Sequence, residues 1–153
     1  MITSKWLFGK DAINEVQPIR DMVEATTKDA YDDIALHVLV GEEGEWLATG
    51  RLYEKDAKMM LGPIYVAPQV AKGVDDLLAR MLISKGFELF ADEIYTEAKE
   101  DEVAFFEGLN FCEYDDYEKD GVKYYNMKLL KEVSPIPSGC EGCNQCGGDC
   151  TNA

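Results

Sequence analysis

The stretch MMLGPIYVAPQVAKGVDDLLARML, residues 59–82, decides the fold class. It opens on an apolar run, residues 59–66, of strand composition. Pro68 ends that run, because proline has no N–H to give to a ladder. Gln69, Val70, Ala71, Lys72 and Gly73 then make a short turn. From Val74 to about Phe90 the apolar residues Val74, Leu77, Leu78, Met81 and Leu82 recur at helical spacing, so the spacing predicts a helix with one apolar side. A strand, a turn and a helix in direct succession point to an α/β protein.

Reading outward from this stretch gives the remaining elements. Upstream, residues 2–8 alternate as a first strand, and Gly9 breaks it. Residues 11–27 carry apolar positions Ile13, Val16, Ile19, Met22 and Val23 at helical spacing, interrupted by Pro18. This segment is expected to kink at the proline, or to begin near Gln17 with the proline in its first turn. The string TTKDAYDD, residues 26–33, reads as an acidic, solvated loop. Residues 34–40 and 45–53 form two strands around the turn at residues 41–44. The polar string EKDAK, residues 54–58, reads as a link. Downstream, residues 94–98 read as a strand and residues 101–109 as a short helix. Residues 111–117 and 122–130 form a hairpin around Lys119, Asp120 and Gly121. The order is strand, helix, three strands, helix, strand, helix, two strands. Such connectivity implies a mixed central sheet, with parallel and antiparallel pairs, flanked by helices.

Composition bounds the rest. The 153 residues suit one domain, and 46% hydrophobic residues exclude a chain disordered throughout. No apolar run approaches the ~20 residues of a membrane helix, and the N-terminus lacks a signal-peptide pattern. A soluble, cytoplasmic protein is expected. Thirty acids against fifteen bases give a net charge of −15. Lys131 against Glu132, Glu141 and Asp149 leaves the tail at −2, so the body up to Leu130 carries −13. A field of that sign repels nucleic acid and anionic membranes. It attracts cations, which serves solubility alone or an amine substrate.

At this point residues 12–130 resemble the GNAT family of N-acetyltransferases. The resemblance rests on the early Ile19-Arg20-Asp21-Met22-Val23, on LATGRLY, on the strand-turn-helix of residues 59–82, and on AFFEGLNF followed by VKYYNMKLL. It implies a GNAT (acyl-CoA N-acyltransferase) fold over residues 1–130, a linker at 131–139 and a cysteine-rich tail at 140–153. It also implies acetyl-CoA as cosubstrate and a small-molecule or protein amine as acceptor, with neither nucleic acid nor membrane as partner. The oligomeric state stays open, a dimer included.

The resemblance assigns cofactor contacts to Ile64, Tyr65 and Val66 on the strand, and to Val70, Ala71, Lys72, Gly73, Val74 and Asp75 at the turn. Free N–H groups at a helix start favour a diphosphate there. Only Gly73 matches the family's turn pattern cleanly. Asp75 stands where a small residue is usual, and its carboxylate opposes a bound diphosphate. Phe106 occupies the usual position of a tyrosine that protonates the departing thiolate, and Asn110 replaces a glycine. Glu97 is a candidate general base, with His37 second. A lone histidine on an apolar strand reads more readily as a core residue, as do Trp46, Phe105 and Phe111. Tyr95, Tyr114 and Tyr124 are alternative acids by strand order.

Cys112 stands alone in the body, whereas Cys140, Cys143, Cys146 and Cys150 fall within eleven residues. The C-x2-C-x2-C-x3-C run has the spacing of a bacterial ferredoxin cluster site, and four near thiolates also suit zinc. The run is therefore a candidate zinc or iron–sulfur site, against a plain thiol-rich tail. Two functions compete: acetyl transfer to an amine, and a catalytically weakened GNAT-fold binding module whose tail holds metal or senses redox state.

Overall fold

In the computed structural model, which describes residues 1–24, 28–68 and 72–136, eight strands and three α-helices follow one another. Two compact units divide the chain, residues 1–82 and 83–153.

The first unit begins with β1 (Ile2–Phe8) and, after a 3-10 turn, α1 (Ile13–Val23). Then come β2 (Leu36–Glu42), β3 (Glu45–Lys55), β4 (Lys58–Leu61) and β5 (Tyr65–Val66). The sheet runs β1-β2-β3-β4 with antiparallel pairing throughout. β3 is long enough to serve two partners. Its end, Leu52 to Lys55, pairs with β4, and Ala48 and Thr49 pair with Val66 and Tyr65 of β5.

The apolar run of residues 59–66 is thus two strands, not one. The break falls at Gly62 and Pro63, where the proline cannot continue the ladder. The expected link at residues 54–58 is a tight hairpin instead. Lys55 pairs with Lys58 across Asp56 and Ala57, both at positive φ (51° and 62°). That is the backbone of a type I′ turn, and alanine carries no sequence signal for it.

α1 begins at Ile13 and runs through Pro18, rather than beginning near Gln17. Proline costs the helix its own N–H bond. The apolar stripe outweighs that loss: Val16 and Ile19 bury against Leu39, with Leu7, Ile13 and Trp46 around them. On the opposite face of β3, Gly50 lets the helix α2 (Val74–Glu88) approach. A Cβ there would lie 2.8 Å from Leu82 Cδ1 and 3.5 Å from Leu78 Cδ2.

The second unit holds β6 (Glu93–Lys99), α3 (Val103–Glu107), β7 (Cys112–Lys119) and β8 (Val122–Leu130). The last strand sits between the other two, antiparallel to both. The β7–β8 turn falls at Asp120 and Gly121, at φ 53° and 79°, as the hairpin reading requires. Ile94, Ala98, Met127 and Leu129 make the buried face, fully enclosed. Asn110 ends the α3 segment at φ 72°, and the Phe111 N–H donates to the Phe106 carbonyl at 3.0 Å. Asparagine therefore fills the left-handed position that a glycine would otherwise take. Among the described residues no helix is long and apolar enough to cross a membrane. The architecture is α/β, a mostly antiparallel sheet with flanking helices.

Candidate functional site

The acidic segment at residues 28–34 departs furthest from expectation. Lys28, Asp29, Ala30 and Ile34 are exposed as a loop's residues would be, but Asp32 is not. Asp32 is 1% exposed, and two buried arginines close on it. Arg20, in the last turn of α1, donates through Nη1 and Nη2 to the two Asp32 carboxylate oxygens at 3.0 and 2.8 Å. Arg51, on β3, donates through Nη1 to Asp32 Oδ1 at 2.8 Å. The same guanidinium grips Asp29 with Nη1 at 2.7 Å and Nη2 at 2.8 Å. Its Nε donates to the Gly62 carbonyl at 2.9 Å. All three nitrogens of Arg51 are therefore engaged. Its guanidinium also lies 4.4 Å from the Tyr53 ring centroid, and Tyr53 packs on Tyr31 at 4.8 Å.

Buried Asp32 and half-exposed Asp29 balance the two arginines in charge, which makes the burial of Arg20, Arg51 and Asp32 tolerable. Burial alone would push the Asp32 carboxyl up. The hydrogen bonds from Arg20 and the Asp29 N–H, with the charges of both arginines, outweigh it and hold Asp32 well below the usual carboxylate range. Asp29 is treated likewise: burial raises it, and the Arg51 bond and charge bring it down. His37 stands across the ladder from Arg51. Its Nε2 lies 3.0 Å from the Asp32 carbonyl oxygen, so Nε2–H donates there. Burial lowers its pKa and outweighs the raising effect of that bond, and the two guanidinium charges add to the lowering; the fully buried ring is a core residue. The expectation of a core histidine holds.

The segment assigned to cofactor binding lies beside this network. Tyr65 of β5 is buried, with the Arg20 guanidinium 5.6 Å from its ring centroid. Ile64 and Val66 flank it, half-buried. Gly73 has φ 101°, and a Cβ on it would meet no described atom within 4 Å. Its carbonyl accepts the Leu77 N–H at 3.0 Å, which starts α2. The first-turn N–H groups of a helix have no carbonyl within the helix to bond, so they and the positive end of the dipole suit a diphosphate. Asp75 works against that. It is exposed, and its Oδ1 accepts the Asp76 N–H at 2.8 Å, so a carboxylate already occupies part of the helix start. Asp76 pairs instead with Arg80 at 2.8 Å, one turn on. Lys72 is exposed, and Val74 is half-buried. Val70 and Ala71 lie outside the described residues.

In the second unit, Glu97 is half-buried on β6 and accepts a hydrogen bond from the Tyr117 hydroxyl at 2.7 Å. Tyr117 stacks on Tyr124, centroids 5.2 Å apart. The Tyr95 hydroxyl donates to Glu93. Burial, then that bond and the Glu93 charge, push Tyr95 up to about 12, which makes it a poor acid. Phe106 is buried, edge-on to Phe105 at 5.2 Å and to Phe111 at 5.3 Å. It is a packing residue with no proton to give. Cys140, Cys143, Cys146 and Cys150 lie outside the described residues. Among the described residues no group of three or more His, Cys, Asp or Glu side chains could hold a metal ion.

The fold defined by these elements is that of the acyl-CoA N-acyltransferases. The chain is similar to an acyl-CoA N-acyltransferase from Pseudomonas aeruginosa, at 16% identity and a TM-score of 0.67 over 84% of this chain and 100% of that one. It is similar to the ribosomal-protein-S18-alanine N-acetyltransferase of Escherichia coli, at 16% identity and TM-score 0.69, covering 90% and 97%. A GNAT family acetyltransferase from Elizabethkingia anophelis, solved with acetyl-CoA bound, matches at 14% identity and TM-score 0.68, covering 84% and 97%. No protein-family model and no curated protein sequence matches the chain.

The sequence reading missed the paired arginines. Arg20 sits among the apolar positions of α1, and Arg51 sits inside the strand string LATGRLY. A long cation on the buried side of each element was the available signal, since such a side chain is almost never buried unpaired.

Proposed function

We propose that the protein is an acyl-CoA-dependent N-acyltransferase, with acetyl-CoA as donor and an amine as acceptor. The observation that carries this reading is the run from β5 through Gly73 into α2, set in a fold shared along most of the chain with acetyltransferases. The residues that would hold the donor are the backbone of Ile64, Tyr65 and Val66 and the N–H groups at the start of α2, around Lys72, Gly73, Val74 and Asp75. The amine attacks the thioester carbonyl directly: a C–N bond forms, the C–S bond breaks, and the amine loses a proton as the thiolate leaves. Positioning and hydrogen bonds to the thioester oxygen supply most of the catalysis in such a reaction. Glu97 is the proposed base, with its orientation fixed by Tyr117. Calorimetric titration with acetyl-CoA, followed by thiol release against a panel of amines, tests the reading. Absence of binding at millimolar donor would refute it.

A second reading has its own support. Phe106 is enclosed by two other phenylalanines, and Asp75 holds a negative charge at the helix start. Both favour a donor-binding module with slow or no turnover, and binding without thiol release for any amine would select it. In that reading Cys140, Cys143, Cys146 and Cys150 add a thiolate site for zinc or an iron–sulfur cluster, and elemental analysis of anaerobically purified protein tests it.

A further inference from the structure

The buried charge network joins three pieces of backbone: α1, the acidic segment at residues 28–34, and the Gly62-Pro63 break that leads into β5. Each is tied to that network, and α1 also packs directly against β5. Arg20 fixes α1 to Asp32 and rests against the Tyr65 ring. Arg51 fixes Asp29 and Asp32 of the acidic segment. Arg51 also holds Gly62, where the break begins: its side-chain Nε donates to the Gly62 carbonyl at 2.9 Å, and its main-chain carbonyl accepts the Gly62 N–H at 2.9 Å. β5 itself is two residues long and pairs only with Ala48 and Thr49 among the described residues. A strand so short has little ladder of its own to fix it.

We propose that Arg51 is a positioning residue for the acyl donor. Its guanidinium sets where the Gly62-Pro63 break delivers β5, and so the line of backbone against which the donor's extended arm lies. This inference rests on the acyl-CoA reading and adds to it a residue that touches neither substrate. Lysine at this position would keep the charge but lose the fork that reaches Gly62, Asp29 and Asp32 together. The buried Gly62 carbonyl would then lose its side-chain partner. Asp29 is half-exposed, so its replacement by asparagine leaves the core alone. Asparagine keeps an oxygen for the Tyr31 and Asp32 N–H groups, and it removes the charge that steadies the guanidinium.

The test is calorimetric titration of acetyl-CoA into the full chain and three variants, each held well below its melting temperature. Arg51→Lys should raise Kd about 10-fold and Asp29→Asn about 3-fold, the range of one or two lost hydrogen bonds. Val16→Ala, which destabilises the α1 core without touching the network, should change Kd by less than about 2-fold. That control separates positioning from a general loss of fold. Folded Arg51→Lys or Asp29→Asn protein that binds like wild type overturns the proposal, and so does Val16→Ala weakening binding as much as Arg51→Lys. If Arg51→Lys does not fold, Asp29→Asn decides alone. Wild type that binds no acetyl-CoA defeats the acyl-CoA reading and this role with it. Wild type that binds, with variants that bind equally, defeats the role only.

Discussion

Two acidic stretches of the first unit have similar composition and opposite lives. Asp29, Asp32 and Asp33 follow α1, and Asp75 and Asp76 open α2. Asp32 is 1% exposed and takes hydrogen bonds from two arginines. Asp75 is exposed and accepts the N–H of its neighbour, and Asp76 makes a half-exposed pair with Arg80. Where a carboxylate is dry, its partners are obligatory, because an unpaired buried charge costs several kcal/mol. Where it is wet, water replaces any partner lost. In the first stretch Asp32 therefore bears on the fold, and the second stretch acts through its charge at the helix start.

The largest expected effect breaks the dry stretch. Asp32→Asn leaves two buried guanidinium groups around one amide, and should cost about 3–5 kcal/mol of stability. Denaturant unfolding checks it; a loss under about 1 kcal/mol would mean that water reaches the site.

Acid should separate the two stretches next. His37 has a lowered pKa in the fold, so below its ordinary value of 6.5 the unfolded chain takes up the proton first and stability falls with pH. Asp29 and Asp32 are held below their ordinary 3.8, so their contribution is present above 3.8 and is lost as pH drops further. Melting temperature should thus decline in two stages, from about pH 6.5 and again below about pH 4. A flat profile from pH 8 to pH 3 would contradict both assignments.

A smaller effect probes the wet stretch through function. Asp75→Gly should tighten acetyl-CoA about 2–5-fold, the value of one charge at a helix start. Raising salt toward physiological strength should improve wild-type affinity, since an acidic protein and a polyanionic donor repel. Affinity that is unmoved by the substitution places the side chain away from the donor. The smallest effect is Asp76→Asn, which removes only a half-exposed pair one turn apart and should change stability by no more than about 0.5 kcal/mol.

Much of this chain was legible before folding. The helix that opens at Val74 and the β7–β8 hairpin follow from local chemistry: apolar period, and turn residues that tolerate positive φ. The Asp56-Ala57 hairpin was hidden because alanine gives no sign of a left-handed backbone. The split of residues 59–66 was hidden because Gly62 and Pro63 sit inside an unbroken apolar run. A carboxylate at the start of α2 was readable, since a helix presents its first turn wherever it lies.

The sequence by itself determined the α/β order, the helix periods, the acidic surplus and the presence of phenylalanine at position 106. Only the tertiary structure decided which acids are buried. Charge number and spacing are properties of the chain, but the cost of a charge depends on the water around it. That water is removed by α1, β3 and the residue 28–34 segment together, over separations of 12, 19 and 22 residues for the pairs Arg20–Asp32, Asp32–Arg51 and Asp29–Arg51. No local pattern carries that pairing, because it exists only once β2 and β3 have zipped and brought His37 beside Arg51.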